Sequence, residues 1–243
     1  MKAIILAAGI ASRLRPLTDL SPKCLLEIGS KNLLQRTLDA LIENHVNELI
    51  IVTGYLHEMI EQFVSSHYPD LPVEFIYNER YESANNIYSL WLTKKSVLDT
   101  DILLLDSDIL FDPAIISCLL TSAYSTCLAL NKHELGEEEI KARVDSNSRI
   151  EEISKVCSIE KAAGESIGIE KMSNDFVRLL FVELDRMIQE EKQVHVFYEA
   201  AFENVIRKGA GMYAVDTTSY FSMELDTVED FRMACSKIPF NLQ

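Results

Sequence analysis

Positive charge is scarce in this chain. Its 243 residues carry 23 Lys and Arg against 38 Asp and Glu, a formal net charge of -15. That balance excludes general nucleic-acid binding, which needs a basic surface to neutralise phosphates. A small anion held by a few cations in one cleft is still allowed. Long apolar runs are also missing, so no segment reads as a membrane span. The apolar residues 3–8 are too few for the core of a signal peptide, and the fold is expected to start at once. Cysteines number five, at positions 24, 118, 127, 157 and 235. They form no CxxC pair and no zinc spacing with histidine, so free thiols in a reducing cytoplasm are expected. The five histidines form no triad. Neither GxxxxGK[ST] nor GxGxxG occurs, which excludes a P-loop and a dinucleotide fingerprint. No linker, repeat or low-complexity tract divides the chain. A single domain over 1–243 is expected, with roughly 131–200 forming a lid and acceptor-binding extension.

What is present is alternation. KAIILAA, ELIIVTGY, VEFIYN and DILLLDSDILF read as four buried strands. Residues 33–46, 58–67 and 86–97 lie between them and show helical spacing. This pattern predicts an α/β protein, a three-layer α/β/α sandwich with a mixed, mainly parallel central sheet. After Pro113 the rhythm changes. STCLALNKHE, KARVDSNSRIEEISKV and ESIGIEKM read as strands joined by polar turns. Helices are predicted over 174–192 and 198–209, the second stopped by Gly209. GIEKMSND and the long helix after it are expected to build the lid. GMYAVDT is a further strand, and residues 227–236 form a last helix.

The loop after the first strand carries the first chemistry. It leaves the carboxyl end of a parallel strand, where such sheets bind ligands. Ala8 and Gly9 allow close backbone approach, and free N–H groups there can cradle phosphate oxygens. Arg13 offers a fork and Lys23 a point charge for phosphates. On glycine and serine content alone, an ordinary solvated loop is the better reading. The ordered string LAAG, SR, PLT and PKCLLEIG changes that balance. It resembles the amino-terminal signature of the nucleotidyltransferase family, which joins a nucleoside triphosphate to a phosphorylated small molecule. The resemblance implies a Rossmann-like nucleotidyltransferase fold. It also implies that Arg13 binds the triphosphate tail and that Lys23 lies between the α-phosphate and the acceptor phosphate.

Carboxylates form the second group. LLLDSDILFDP ends a strand with Asp106, Asp108 and Asp112. Carboxylates there can hold Mg²⁺, a hard cation that leans on one or two of them plus phosphates. An acidic turn is the plainer reading, and Asp112-Pro113 looks like a helix cap. Asp106 and Asp108 share a strand face, so spacing does not separate them. The family resemblance favours Asp108. MELDTVEDF supplies Glu224 and Asp226, and by itself Asp226 with Glu229 resembles a capping box. The resemblance instead pairs Asp226 with Asp108 as magnesium ligands.

NERYESANNIYSLW and VFYEAAFENV form the third group, rich in aromatics and acids suited to an ammonium ion. Packing alone accounts for Trp91. The segments NNIYSLW and FYE resemble the phosphocholine cytidylyltransferase branch of the family. That likeness places Tyr198 and Glu199 at the acceptor's cation. The chain has Tyr and Glu where the branch is expected to carry Trp and Asp, which leaves the amine open. The implied activity is transfer of CMP from CTP to phosphocholine, phosphoethanolamine or 2-aminoethylphosphonate, with release of pyrophosphate. Ala8, Gly9 and, more weakly, Asn86 would read the nucleotide. Two alternatives stand beside this reading. One is a sugar-1-phosphate nucleotidylyltransferase using UTP or dTTP. The other is a non-catalytic nucleotide-binding regulatory subunit, which loss of Arg13, Lys23, Asp108 or Asp226 would have favoured. All four are present. A homodimer is compatible with this reading, and no residue specifies one.

Overall fold

A computed structural model describes residues 1–242. Thirteen strands and eight α-helices are assigned among them. The strands are β1 (Lys2–Ala7), β2 (Glu27–Ile28), β3 (Lys31–Asn32), β4 (Leu49–Thr53), β5 (Val73–Tyr77), β6 (Ile102–Asp106), β7 (Ile109–Phe111), β8 (Cys127–Asn131), β9 (Lys141–Val144), β10 (Ile150–Ser154), β11 (Gly164–Met172), β12 (Tyr213–Asp216) and β13 (Ser222–Glu224). The helices are α1 (Leu33–Glu43), α2 (His57–His67), α3 (Asn86–Leu92), α4 (Lys94–Val97), α5 (Ala114–Thr121), α6 (Asn174–Asp185), α7 (Glu199–Arg207) and α8 (Val228–Lys237).

Nine strands form one mixed sheet, running β10-β9-β11-β6-β1-β4-β5, with β8 on β11 and β12 on β8. The amino-terminal half is parallel: β1 pairs with both β4 and β6, and β4 with β5. β11 enters antiparallel and joins that half to β8 and β9. Strand β1 shows why the amino-terminal run is apolar on both sides. Ile4 and Leu6 pack on one face, with Ile87 and Leu90 of α3 and Phe181 of α6. Ala3, Ile5 and Ala7 pack on the other, with Leu34 and Leu38 of α1 and Ile60 of α2. Both faces are covered, so period-2 alternation disappears from the sequence. This is the expected three-layer α/β/α sandwich.

Three expectations change. DILLLDSDILF is two strands. β6 ends at Asp106 inside the main sheet, and β7 pairs with β13 in a separate ribbon. Leu103 and Leu105 of β6 share a core with Ile109 and Phe111 of β7, Leu110 joins a smaller cluster, and the polar Ser107 and Asp108 make the turn between the strands. Asp106 ends a strand of the main sheet and Asp108 lies in the turn after it, and both line the same cavity. The stretch GIEKM is no lid: it lies in β11, paired with β6 and β8. The helix expected over 174–192 changes character after Asp185, where a π-helical segment Arg186–Glu190 follows.

A third, smaller cluster positions the site. Ile28 and Leu33 pack there with Leu110 of β7, Leu225, and Ala234 of α8. It fixes the segment carrying Asp226 against the amino-terminal part of the chain.

Candidate active site

The loop after β1 is held open by its neighbours. The Tyr55 N–H donates to the Ala8 carbonyl at 3.0 Å. The Tyr55 hydroxyl donates to the Thr18 carbonyl at 2.8 Å. The Thr18 hydroxyl in turn donates to the Ala11 carbonyl at 3.0 Å. Gly54 is required here, because a Cβ at that position would sit 2.6 Å from the Ala8 carbonyl oxygen. Ala11 takes left-handed dihedrals, φ 51° and ψ 51°. Among the described residues, the N–H groups of Gly9 and Ile10 donate to no protein acceptor. Ala8 and Gly9 line a cavity of about 650 Å³. Successive free N–H groups in such a turn are suited to anions.

Lys23 starts a short 3-10 turn, Lys23–Leu25, directly after Pro22. Cys24 anchors that turn by burial in the core. Burial pushes the Cys24 thiol up to about 12, which makes it inert. The Lys23 side chain is only 10% exposed, and its Nζ donates to Asp108 Oδ2 and Asp226 Oδ1, each at 2.9 Å. Burial alone would lower its pKa, but the two aspartate charges outweigh this and raise it. Arg13 also donates to Asp226, through its guanidinium. Burial would raise the Asp226 carboxyl, but Lys23 and Arg13 hold it low.

Asp226 is free to do this because another pair caps the helix. Thr227 is the N-cap of α8 and forms a capping box with Asp230. The expected Asp226–Glu229 box is not the one that forms. Asp112 does act as a local cap, accepting from the Ala114 N–H at 2.9 Å.

Glu224 joins the aspartates. Ligand atoms of Asp108, Glu224 and Asp226 all lie within 4.8 Å of one another. The Glu224 side chain reaches solvent, but it sits in the concavity with both aspartates. Its carboxyl is pushed up to about 8 by desolvation, then by the charges of Asp108 and Asp226. Three hard oxygen donors under mutual repulsion are a suitable set for a hard divalent cation.

Asp106 and Glu199 line the other end of the cavity and form no ion pair among the described residues, although Lys155 lines the same cavity and acts on Glu199 through space. The Tyr198 hydroxyl donates to Asp106 Oδ2 at 3.0 Å and to Glu170 Oε1 at 3.5 Å. Tyr198 and Glu170 are 0% exposed and Glu199 is 5% exposed. Desolvation, then neighbouring carboxylates, raise Asp106 and Glu170 well above the ordinary range. Burial pushes Glu199 up to about 7. Gly168 makes room for Asp106: it lies at a register irregularity of β11 with φ +71°, and a Cβ there would meet Asp106 Oδ2 at 2.7 Å.

The structure thus brings Arg13, Lys23, Asp108 and Asp226 into one network, with Ala8, Gly9, Asn86 and Glu199 on the same cavity wall. Asn86 has a structural contact as well: its Oδ1 accepts from the Tyr198 N–H at 3.0 Å. Tyr198 is a correction. Its ring is in the core rather than on the cavity wall, and the neighbouring Phe197 lines the cavity instead. Trp91 is structural, donating from Nε1 to Asp185 at 2.9 Å. Sequence reasoning missed Glu170 and undervalued Asp106 and Glu224. The available signal for Glu170 was a charged residue inside an otherwise buried strand.

An α/β sandwich with arginine, lysine and carboxylates gathered beside a glycine-containing loop is an arrangement suited to phosphates. Residues 2–126 match the nucleotidyl transferase family model, and the chain belongs to that family. Its relatives include cytidylyltransferases. The choline-phosphate cytidylyltransferase of Streptococcus pneumoniae is 38% identical over 100 residues, 41% of this chain and 42% of the relative. The CMP-5'-(3-aminopropyl)phosphonate synthase of Streptomyces rubellomurinus is 29% identical over 54% of this chain and 21% of the relative. These two matches therefore span less than half of each relative's length. The CTP:phosphoglutamine cytidylyltransferase of Campylobacter jejuni is 26% identical over 98% of this chain and all of the relative. The fold is shared with the solved CTP:phosphocholine cytidylyltransferase from Streptococcus pneumoniae, with a TM-score of 0.81 and 23% identity. That superposition covers 98% of this chain and 99% of the other.

Proposed function

We propose that this protein transfers CMP from CTP to a small phosphorylated or phosphonylated amine. An acceptor oxygen attacks the α-phosphorus, a new P–O bond forms, and the bond to pyrophosphate breaks. The attacking oxygen is already ionised, so no general base is needed. Catalysis is then positioning plus charge stabilisation. Arg13 holds the leaving pyrophosphate and Lys23 the reacting phosphates. The N–H groups around Gly9 cradle phosphate oxygens, with Ala8 and Asn86 on the nucleotide's side. Asp108, Glu224 and Asp226 would hold Mg²⁺, which supplies neutralisation of phosphate charge. Asp226 would then give up its contacts to Lys23 and Arg13, and both cations become available to the phosphates. Glu199 faces the acceptor's ammonium. Residues 136–140, three of which line the cavity, would form its rim.

The observation that carries this reading is the convergence of Arg13, Lys23, Asp108 and Asp226 beside a cavity whose far end is acidic. A sugar phosphate offers hydroxyls and no positive charge to that end. The test is pyrophosphate release in Mg²⁺ with CTP, UTP or dTTP against phosphocholine, phosphoethanolamine, 2-aminoethylphosphonate and glucose-1-phosphate. Turnover is expected with CTP and an amine. Turnover confined to the sugar phosphate rejects the reading.

A further inference from the structure

Glu199 and Glu170 each bury an oxygen, Oε2, that has no hydrogen-bond partner. Among the described residues, no basic side chain forms an ion pair with Asp106, Glu170 or Glu199. Lys155, which also lines the cavity, acts on Glu199 through space. Buried carboxylate oxygens without donors are costly. Glu199 lines the cavity, so a ligand that brings N–H groups can offset that cost there, whereas Glu170 does not line it. Glu199 and Asp106 line the cavity, and Glu170 stands behind them through the Tyr198 hydroxyl.

The aromatic side of the site points the same way. A quaternary ammonium has no N–H and depends on open aromatic faces. Tyr198 is buried in the core. Phe197 is on the wall, but the Lys155 ammonium lies 4.7 Å from its ring centroid. Tyr88 carries the Arg80 guanidinium 5.0 Å from its centroid. Tyr81 lines the cavity at Gly54 and Ala8, on the side of the β1 loop. No aromatic cage is left for a trimethylated nitrogen at the acidic end.

We infer, given transfer of CMP to a phosphorylated amine as read above, that the acceptor nitrogen is a primary ammonium hydrogen-bonded by Glu199 and Asp106, not a quaternary one. An amino-alkyl phosphate or phosphonate fits this class.

A methylation series tests the inference on the unmodified protein. Pyrophosphate release is measured at fixed CTP and Mg²⁺ with phosphoethanolamine and with its monomethyl, dimethyl and trimethyl derivatives, the last being phosphocholine. Each methyl is expected to lower kcat/KM, and the trimethyl form should fall about 10⁴-fold below the primary amine, the scale for sites that hydrogen-bond a substrate N–H. Equal or faster turnover of phosphocholine overturns the inference and leaves CMP transfer standing. Turnover with glucose-1-phosphate alone, or with no acceptor, overturns both. Glu199→Gln supplies a second arm. It should raise the KM for phosphoethanolamine at least ~10-fold, flatten the methyl series, and leave the KM for CTP within about twofold. A series as steep as that of the unmodified protein removes Glu199 from the site.

Discussion

The two ends of the cavity are opposite solutions to the same problem. At one end Lys23 and Arg13 neutralise Asp108 and Asp226 within the chain. At the other, Asp106, Glu170 and Glu199 have no ion-pair partner among the described residues, and Lys155 acts on Glu199 only through space. The first end is balanced and can exchange partners when phosphates arrive. The second is unbalanced and invites a positive ligand. Desolvation acts on both, but the outcome differs. A partnered Asp226 stays low, whereas an unpartnered Glu199 rises.

Removing the cation that balances the first end gives the largest expected effect. Met matches the reach of Lys23 without its charge. Lys23→Met should lower kcat/KM by about 10³-fold, the scale for a preorganised charge acting on the reacting group. It also leaves Asp108, Glu224 and Asp226 crowded, with Arg13 as their one remaining cation among the described residues. Mg²⁺ alone should then raise the variant's Tm more than that of the unmodified protein. Steady-state kinetics and thermal melts with and without Mg²⁺ check both outcomes. Activity within tenfold of the unmodified protein would remove Lys23 from the reacting phosphates.

The second end is expected to show itself in the pH dependence of stability. The Glu199 carboxyl is pushed up from its ordinary 4.5 to about 7 by burial. Between those values the folded chain binds more protons at this group than the unfolded chain. Its contribution is therefore fully present below pH 4.5 and is lost as pH rises through 7. The loss should reach about 3 kcal/mol near pH 8. Glu199→Gln should flatten that part of the profile, measured by urea unfolding across pH 4.5–8. Asp226 has the opposite sign, being held low, so its contribution fades on acidification. Identical profiles for the two proteins would mean that Glu199 has a partner in solution.

The same contrast explains what could be read from the sequence. The β1 loop, Arg13 and Lys23 are contiguous in the chain, and their order forms a legible string. Asp226 lies 203 residues from Lys23, but it directly precedes a helix whose capping residues stand out. The parallel half of the sheet was legible because burial on both faces leaves unbroken apolar runs. The acidic end is assembled from β6, β11 and the start of α7, and no local pattern announces that these meet. Glu170 occupies one position in a strand whose fully buried setting depends on β6 and β8 on either side. Tyr198 misled for a related reason. An aromatic residue beside an acid suggests a cation site, but which of Phe197 and Tyr198 faces the cavity is decided by where α7 begins. The break between Asp106 and Asp108 was also hidden, since β7 leaves the main sheet only to meet β13.

The smallest expected effect concerns how the balanced end is held. The Thr227 hydroxyl accepts from the Asp230 N–H at 3.2 Å, and Asp230 Oδ2 accepts from the N–H groups of Asp226 and Thr227 at 3.1 and 2.7 Å. This cap fixes the backbone of Asp226 just where its side chain meets Lys23 and Arg13. Thr227→Ala removes the hydroxyl and should cost about 1 kcal/mol of stability. Asp230 keeps its bonds to the two N–H groups, so Asp226 is loosened rather than released. A few-fold rise in the Mg²⁺ concentration needed for half-maximal rate is expected, with the KM for the amine acceptor unchanged. An equal rise in both would mean that the cap supports the whole cavity, and the two ends would then be mechanically one unit.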